Sequence, residues 1–448
     1  MRRLFQRSAV CSGSVTLQAL FNHVSAPMRQ LYTLLFYLLL PILLLRLWWR
    51  GRKAPGYRQN WCQRLGLGPA VGQPVIWIHA VSVGETVAIA PLVNRLLARY
   101  PQHRLLITNM TPTGAAQVRT LFGDRVEQRF CPWDLPLALR AFLRRTHPEL
   151  CIIVETELWP NLVNQCARAG VSVLLANARL SARSARGYQR FSALAKPMLQ
   201  QLSLIAAQGQ TDADRFVALG MPPERVDVTG SIKFDLEPDA GQVASGRTLR
   251  ERLGLERPVL IAASTHQGED EILLQAWQQL KAVHPELALI LVPRHPERFD
   301  AVAELCRGYS DRLVRRSRGD RPDEHTELYL GDSMGELMLF YAAADIAFVG
   351  GSFSGTGGHN PLEPAALGLP VIMGPDCFNF QSITDALKEA GGLVRVADAA
   401  GLQAQLSIWL EGVDRRREAG QQAAAFVAAN RGALDRLEQA VSRLLSQG

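Results

Sequence analysis

Short apolar runs alternate with amphipathic stretches along most of this 448-residue chain, and this alternation constrains the fold more than any other feature. Runs rich in Val, Ile and Leu are typical of strands buried on both faces, and the stretches between them carry apolar residues at helical spacing. This order predicts parallel sheets with helices on both faces, which is an α/β fold. The expected strands are residues 75–78, 105–108, 150–154, 171–175, 204–207, 259–262, 288–292, 328–330, 346–349 and 371–373.

The expected strands form two series that break near residues 230–247. There the run Lys233-Phe-Asp-Leu-Glu-Pro-Asp gives way to a stretch rich in Gly, Ser and Ala. A chain of this length is too long for one ordinary α/β core, so two domains of similar size are expected.

The composition suits a globular protein with an acidic partner. Hydrophobic residues make up 48% and charged residues 20%, and the formal net charge is +8. Nucleic acid, anionic lipid and phosphorylated substrates all fit this charge, but no aromatic and basic platform supports nucleic acid. The seven cysteines are scattered without a C-x-x-C pair, which favours reduced thiols over a disulfide framework or a zinc site.

An apolar run from Leu31 to Leu45 is followed by several basic residues. Fifteen helical residues reach about 22 Å, short of the roughly 30 Å hydrocarbon core of a bilayer, so the run either just spans or inserts part way. A signal peptide and a buried core helix are the alternatives. The missing small-residue cleavage site and the basic residues after the run favour an anchor with the rest of the chain in the cytoplasm. Residues 1–27, ahead of Met28, are expected to be disordered or to precede the true start.

Polar and glycine-rich sequence follows most of the expected strands. Ligands of open parallel sheets bind where the strands end, so these segments are the site candidates. In the first series they are His79-Ala-Val-Ser82-Val-Gly84-Glu85, Thr111-Pro-Thr113-Gly114, Glu155-Thr-Glu157-Leu-Trp-Pro-Asn161 and Asn177-Ala-Arg179. In the second series they are Ser264-Thr265-His266, Arg294-His295, Ser333-Met334-Gly335-Glu336, and Gly350–Gly358 followed by His359-Asn360-Pro-Leu-Glu363.

Three of these segments also fit a purely structural role. Ser82-x-x-Glu85, Ser333-x-x-Glu336 and Asn360-x-x-Glu363 match the capping box or its Asn variant, and each alone is better explained as a helix cap. Taken together, glycine-rich turns that open helices suit a phosphate, and Arg294 and His295 add charge nearby. The Gly350–Gly358 stretch is neither a dinucleotide fingerprint nor a Walker A motif, which disfavours an oxidoreductase or a P-loop ATPase.

The ordered set of motifs resembles a known family, the Kdo transferases of lipopolysaccharide assembly, from about Met28 to the C-terminal helix. The motifs are HAVSVGE, TPTG, ETELWPN, NARLS, GSIKFD, STHQGE, PRHPERF, DSMGELM, VGGS and GGHNPLE. His79-Ala80 departs slightly from the His-Ser of many members. The resemblance implies a GT-B glycosyltransferase fold, with two Rossmann-like domains, a cleft between them and an N-terminal membrane-anchor helix. The implied segments are 1–27 (extension), 28–50 (anchor), 51–230 (acceptor domain), 231–425 (CMP-sugar donor domain) and 426–448 (a C-terminal helix packing back toward the first domain).

The resemblance also implies an activity. Kdo, an eight-carbon sugar acid, would pass from CMP-Kdo to the 6′-hydroxyl of the lipid A precursor lipid IVA, with inversion and with no metal or other cofactor. The implied partners are CMP-Kdo, the lipid A precursor and lipids of the inner membrane, without nucleic acid. The catalytic domains would lie on the cytoplasmic side of that membrane.

The implied catalytic residues are two acids. Glu85 occupies the general-base position, and a helix N-terminus is expected to keep its carboxylate ionised near neutral pH. Glu157 either positions the acceptor and supports Glu85 or is an ordinary charge at a helix start. Acceptor or Kdo contacts are expected from Ser82, Gly84, Thr111, Thr113 and Arg179.

The implied donor site lies in the second domain. Arg294, the helix N-terminus at Gly335 and Lys233 are expected to hold the CMP phosphate, and Asn360 and Glu363 to contact ribose and cytidine. The other donor candidates are Thr265, His266, His295, Ser333, Met334 and Glu336. Three alternatives stay open: a GT-B enzyme that uses a UDP-sugar, a nucleotide-sugar epimerase, and a non-catalytic membrane-anchored module that binds a nucleotide-sugar.

Overall fold

The chain forms two α/β units. The computed structural model describes residues 14–447, with the backbone alone for residues 14–26 and Lys53. The first unit comprises the chain as far as Ile232 together with the C-terminal segment from Gly432, and the second unit is Lys233–Arg431. Residues 1–13 of the expected N-terminal extension lie outside the described residues, and from Ser14 the chain is helical.

The first unit is built on a seven-stranded parallel sheet. Its strands are β1 (Val75–His79), β2 (Arg104–Asn109), β3 (Glu127–Phe130), β4 (Pro148–Val154), β5 (Ser172–Ala178), β6 (Leu204–Ala207) and β7 (Val226–Val228). Its helices are α1 (Ser14–Lys53), α2 (Trp61–Arg64), α3 (Val83–Arg99), α4 (Pro112–Phe122), α5 (Pro136–Thr146), α6 (Pro160–Arg168), α7 (Ala182–Arg190), α8 (Ser192–Leu199), α9 (Gln210–Ala218) and, from the end of the chain, α18 (Ala433–Leu445). The strand order is β3-β2-β1-β4-β5-β6-β7, so the order reverses between β1 and β4.

Apolar side chains fill both faces of this sheet. Along β1, Ile76 and Ile78 face one apolar core, and Val75 and Trp77 face the other. This is why the strand is a continuous apolar run in the sequence, as parallel sheets covered on both sides require. Helix α18 completes the first of these cores.

The second unit repeats the architecture. Its strands are β8 (Val259–Thr265), β9 (Ala288–Pro293), β10 (Leu313–Arg315), β11 (Leu328–Leu330), β12 (Ile346–Val349), β13 (Val371–Met373) and β14 (Leu393–Arg395). Its helices are α10 (Ala240–Leu253), α11 (Glu269–Lys281), α12 (Phe299–Arg307), α13 (Leu337–Ala342), α14 (Leu362–Ala366), α15 (Gln381–Glu389), α16 (Ala399–Glu411) and α17 (Val413–Ala429). The parallel strands follow the order β10-β11-β9-β8-β12-β13-β14, and the order reverses between β8 and β12.

Helix α1 contains a segment that is long and apolar enough to cross a membrane. Within Pro27–Arg52 an 18-residue window has a mean hydropathy of 1.9, and none of that window is buried, so the alternative of a buried core helix is wrong. At ~1.5 Å per residue the segment is about 39 Å long, more than the 15 residues considered from sequence provide. One side of α1 packs against the apolar cluster of Trp133, Leu135 and Ala138, through Phe36, Leu40, Leu44 and Leu47.

Candidate active site

Two acidic segments of the first unit follow neighbouring strands at the point where the strand order reverses. Glu85 comes after β1, and Glu155 and Glu157 come after β4. The carboxyl ends of parallel strands at such a reversal are the usual ligand site of a doubly wound sheet. The topology therefore brings together acids that are 70 residues apart in the sequence.

The Glu85 carboxylate is held by the turn that starts α3. One oxygen accepts a hydrogen bond from the Val81 N–H at 2.6 Å, and the other accepts one from the Ser82 hydroxyl at 2.8 Å. Ser82 is the N-cap residue, and its side chain accepts a long bond, 3.4 Å, from the Glu85 N–H. The capping interaction considered from sequence is thus present, and it fixes the position of the carboxylate.

Burial changes the protonation of Glu85. The residue is 8% exposed. Burial raises the pKa of Glu85 to about 7, the bonds from Val81 and Ser82 oppose this rise, and the negative charges of Glu155 and Glu157 add to it. The carboxylate was expected to stay ionised near neutral pH, but a pKa of about 7 leaves it only partly ionised there, because loss of solvent outweighs the helix terminus. A group that titrates near 7 can accept a proton and release it again.

The second acidic segment is strained. Glu155 has a φ of +60°, in the left-handed region that non-glycine residues rarely adopt, and its N–H donates to the Ala176 carbonyl at 2.9 Å. Burial, and next the charge of Glu155, raise the pKa of Glu157. Glu157 is therefore more than an ordinary solvated charge at a helix start.

The acceptor-side candidates have less uniform surroundings. Thr111 is the N-cap of α4 and accepts from the Gly114 N–H at 3.1 Å, and the Thr113 hydroxyl donates to Thr111 at 3.3 Å. Gly84 and Arg179 are exposed, in the first turn of α3 and directly after β5. All four residues lie at the carboxyl edge of the sheet. The two threonines bond through their side chains, and Arg179 accepts a hydrogen bond from the Thr156 hydroxyl through its backbone carbonyl.

A cavity of about 270 Å³ occupies the corresponding edge of the second unit. It lies where β8, β9 and β12 end, at the reversal of strand order. Six of the donor candidates line it: Arg294, Ser333, Met334, Gly335, Asn360 and Glu363. Six lining residues had no donor role assigned from the sequence: Ser264, Val292, Pro293, Leu337, Tyr341 and His359. Of these, His359 had a visible signal, since it stands in the GGHNPLE motif beside Asn360.

The end of β8 approaches this cavity through strained backbone. Ser264 has a φ of +56°, and the register between β8 and β9 shifts at this residue. A Cβ atom at Gly350 would lie 2.5 Å from the Ser264 carbonyl oxygen, so glycine is required there for the loops after β8 and β12 to approach each other.

Glu269, at the start of α11, joins these two loops. Its buried carboxylate accepts four backbone hydrogen bonds, from the N–H groups of His266 (2.8 Å), Gly351 (2.8 Å), Ser352 (3.0 Å) and Phe353 (2.8 Å). One carboxylate thereby satisfies four donors that face the interior. No role was assigned to Glu269 from the sequence, although it ends the STHQGE motif, because three of its four donors lie more than 80 residues along the chain.

Three histidines lie beside the cavity. His266 and His359 approach with their Nε2 atoms 2.8 Å apart, and the His295 ring packs edge-on against His266. Burial lowers the pKa of His359 to about 4 and also lowers that of His266. Both rings are therefore neutral at pH 7, and Arg294 is the cationic side chain among the lining residues.

The remaining donor candidates do not line the cavity. Glu336 forms a bidentate ion pair with Arg316 and accepts from the Ser333 hydroxyl at 2.5 Å. The helix expected at Gly335 begins only at Leu337, and Gly335 adopts a φ of +81°, so this expectation is corrected.

The Lys233 ammonium group stacks on the Phe380 ring at 5.1 Å. Thr265 donates to buried Asp270 at 2.6 Å, and neither it nor His266, His295, Lys233 or Glu336 lines the cavity.

The side chains of Asn360 and Glu363, which both line the cavity, are hydrogen-bonded to each other. The Asn360 amide donates to the Glu363 carboxylate at 3.2 Å, and its oxygen accepts from the Leu362 N–H at 3.1 Å. Burial raises the pKa of Glu363. Among the residues that the structure describes, no three His, Cys, Asp or Glu side chains are grouped as metal ligands.

Two α/β units, each with a parallel sheet and a polar site at its reversal of strand order, define the GT-B fold that is typical of glycosyltransferases. Residues 262–426 match the family model of group 1 glycosyl transferases, and residues 59–236 match that of 3-deoxy-D-manno-octulosonic-acid transferase. A 3-deoxy-D-manno-octulosonic acid transferase of Haemophilus influenzae is 44% identical over 91% of this chain and 97% of its own length. The chain therefore belongs to the Kdo transferase family.

Two solved structures were also found. The C-terminal CMP-Kdo binding domain of WaaA from Acinetobacter baumannii is 38% identical, covers 42% of this chain and 99% of its own, and has a TM-score of 0.39. UDP-GlcNAc 2-epimerase from Neisseria meningitidis is 12% identical, covers 84% of this chain and all of its own, and has a TM-score of 0.54. At that identity the epimerase shares the fold alone.

Proposed function

We propose that this chain transfers Kdo from CMP-Kdo to the 6′-hydroxyl of a lipid A precursor, by a single inverting displacement that needs no metal. The observation that carries the proposal is Glu85, a fixed and nearly buried carboxyl group with a pKa of about 7 at the reversal of the first sheet. Such a group suits a general base that takes the proton of an attacking hydroxyl.

The reaction balances with the groups available. The hydroxyl oxygen forms a bond to the anomeric carbon of Kdo while the bond from that carbon to the CMP phosphate breaks. The hydroxyl proton passes to Glu85, and CMP leaves with the bonding electron pair. Glu157, whose pKa is also raised by burial, is proposed to position the acceptor.

The cavity of the second unit is proposed to hold CMP. Arg294 supplies positive charge for the phosphate, and a guanidinium group can stabilise the charge that grows on the leaving group. The linked Asn360 and Glu363 side chains offer an amide and a carboxyl group to the ribose and base. Because His266 and His359 are neutral, Arg294 is the cationic side chain among the residues that line the cavity.

Helix α1 is proposed to lie in the surface of the inner membrane, with both units in the cytoplasm. Thr33 and fully buried Asn161 form a hydrogen bond of 3.0 Å between their side chains, and the packing on Trp133 continues as far as Leu47. A helix attached to a folded unit along this length cannot cross the bilayer without carrying polar groups such as Asp134 into hydrocarbon, which is costly. The outer side of α1 exposes apolar residues instead: Leu34, Leu38, Ile42, Leu45 and Trp49.

Incubation of the purified protein with CMP-Kdo and a tetra-acylated lipid A precursor, followed by mass measurement, tests the proposal. We expect a product heavier by one or more Kdo units. Parallel incubations with UDP-sugars test the alternative donor, and transfer from a UDP-sugar but not from CMP-Kdo would overturn the proposal. CMP binding with no transfer to any acceptor would instead indicate a non-catalytic binding module.

A further inference from the structure

A second cavity, of about 370 Å³, lies in the first unit between α7 and α8. Its floor is apolar, formed by Leu158 and Met198, which belong to the core. Phe191, which joins the two helices, is 64% exposed at its edge. We call this cavity the α7–α8 groove, and its lining residues are Leu158, Pro160, Ser184, Gly187, Tyr188, Phe191, Leu194, Ala195 and Met198.

The groove is bordered by positive charge. Helix α7 carries Arg183, Arg186 and Arg190, all exposed, and has no acidic residue. Among the ion pairs of the described residues, none involves these three arginines. An apolar groove beside a helix that exposes three arginines complements a ligand that has both an aliphatic chain and an anionic head.

The groove is next to the proposed membrane helix on one side and to the acids of the first unit on the other. On one side α8 packs against α1, the proposed membrane helix. On the other side, Leu158 directly follows Glu157. Tyr188 is also close to Glu157: burial is the main cause that raises the pKa of Tyr188, and the charge of the Glu157 carboxylate adds to this rise. A lipid leaving the bilayer along α1 would therefore reach the groove while its polar head lay near the acids of the first unit.

We propose that the α7–α8 groove binds an acyl chain of the lipid acceptor and that Arg183, Arg186 and Arg190 contact the acceptor phosphates. This inference rests on the proposed function. It adds a binding site for the part of the acceptor that takes no part in the chemistry. Burial of each methylene group strengthens binding by about fourfold, so even a short stretch of chain contributes strongly to acceptor affinity.

Gly187 provides a direct test. It lies within α7 and lines the groove, and a Cβ atom added there meets open space, so Gly187→Leu fills the groove without straining the helix. Gly72 is the matched control, since it is also exposed with open space around it but precedes β1, at the opposite edge of the sheet. Transfer from CMP-Kdo is measured for wild type, Gly187→Leu and Gly72→Leu with two acceptors in detergent: the tetra-acylated lipid A precursor and the same phosphorylated disaccharide without acyl chains.

We expect Gly187→Leu to raise KM for the acylated acceptor at least tenfold, with little change in kcat, and to leave transfer to the deacylated acceptor unchanged. Wild-type kinetics for Gly187→Leu with the acylated acceptor would overturn the groove assignment and leave the proposed function standing. An equal loss with both acceptors would also overturn it. So would a Gly187→Leu variant that binds protein-free lipid vesicles more weakly than wild type but keeps the wild-type KM for the acylated acceptor, because the bilayer would then occupy the groove. If the wild type transfers Kdo to neither acceptor, the proposed function fails and the groove assignment fails with it.

Discussion

Ser82 and Glu85 bond to each other in both directions at the start of α3, and the carboxyl group held in this way has a pKa near 7. A helix cap would have no need for such a pKa. A general base does, because a pKa close to the working pH leaves part of the carboxyl group ionised before the reaction and gives the carboxylate a high affinity for the proton that it takes.

Glu85→Gln is expected to lower kcat by about 10²–10⁴-fold, the range typical of general acid–base catalysis, and to leave CMP affinity unchanged. The substitution keeps the size of the side chain and one hydrogen-bond acceptor. Turnover with CMP-Kdo and the lipid acceptor, together with calorimetric titration of CMP, measures both effects. Near-normal turnover would remove Glu85 from the base role.

The same variant separates a base from a cap through stability. The folded protein raises the pKa of Glu85 above its ordinary value, so ionisation of Glu85 destabilises the fold as pH rises from about 4.5 to 7. Above pH 8 we expect Glu85→Gln to be more stable than wild type by about 3 kcal/mol, with the difference vanishing near pH 4.5. Thermal unfolding at both pH values measures this. A residue that served only as a cap would instead lose stability at every pH when replaced.

The pH dependence of kcat/KM should report the titration of Glu85. The active form of the base is the carboxylate, so kcat/KM should rise with pH through about 7 and then level off. Glu157→Gln removes a negative charge that raises the pKa of Glu85, so the residual activity of this variant should show its midpoint at lower pH. A midpoint that stays in place, or moves upward, would show that another group controls the profile.

Glu269 should control the donor site without touching the donor. Glu269→Gln replaces one acceptor oxygen with an N–H donor and leaves some of the four backbone N–H groups unpaired. We expect a loss of about 1–3 kcal/mol in stability and at least a tenfold loss in CMP affinity. Glu271→Gln is the matched control, since Glu271 lies in the same turn of α11 and accepts none of these bonds. Equal CMP affinity for the two variants would contradict the prediction.

The transfer is expected to proceed without a divalent metal. Arg294 and backbone groups would then stabilise the leaving CMP phosphate, so EDTA should leave the initial rate within about twofold of the untreated rate. An Arg294→Met variant should lose CMP affinity in the presence and absence of Mg²⁺ alike. Abolition of transfer by EDTA and its recovery on adding Mg²⁺ would disprove metal independence.

Both ends of the apolar segment of α1 are expected to lie on the cytoplasmic side. In a background that lacks Cys11 and exposed Cys62, single cysteines are introduced by Gln30→Cys and Arg50→Cys. A membrane-impermeant maleimide should label both in membrane vesicles that expose the cytoplasmic face. In vesicles of the opposite orientation it should label neither. Labelling of one position in each orientation would show that the helix spans the membrane.

The central strands were predictable from sequence, and the edge strands were not. Every strand predicted from an apolar run is present within a few residues. The four that were missed are β3, β7, β10 and β14, which are the outer strands of the two sheets. An outer strand is covered less completely, so its residues are mixed in polarity, as in Leu313–Arg315, where all three are partly exposed.

The candidate site shows a similar division. Residues that follow central strands, such as Glu85, Arg294 and Asn360, were found because their polar or glycine-rich surroundings interrupt an apolar pattern. Ser264 was named only as part of a candidate segment, and Glu269 only as the end of a motif. Their roles depend on a left-handed φ and on backbone groups more than 80 residues away, which the sequence does not reveal.

The sequence by itself determined the two-sheet α/β plan and the set of polar segments at the strand ends, because burial on both faces and the turns into helices are local constraints on residue type. The tertiary structure alone decided the protonation of Glu85 and the neutrality of His266 and His359. A pKa depends on solvent and charge within a few ångströms, and those neighbours come from segments that the chain order does not bring together.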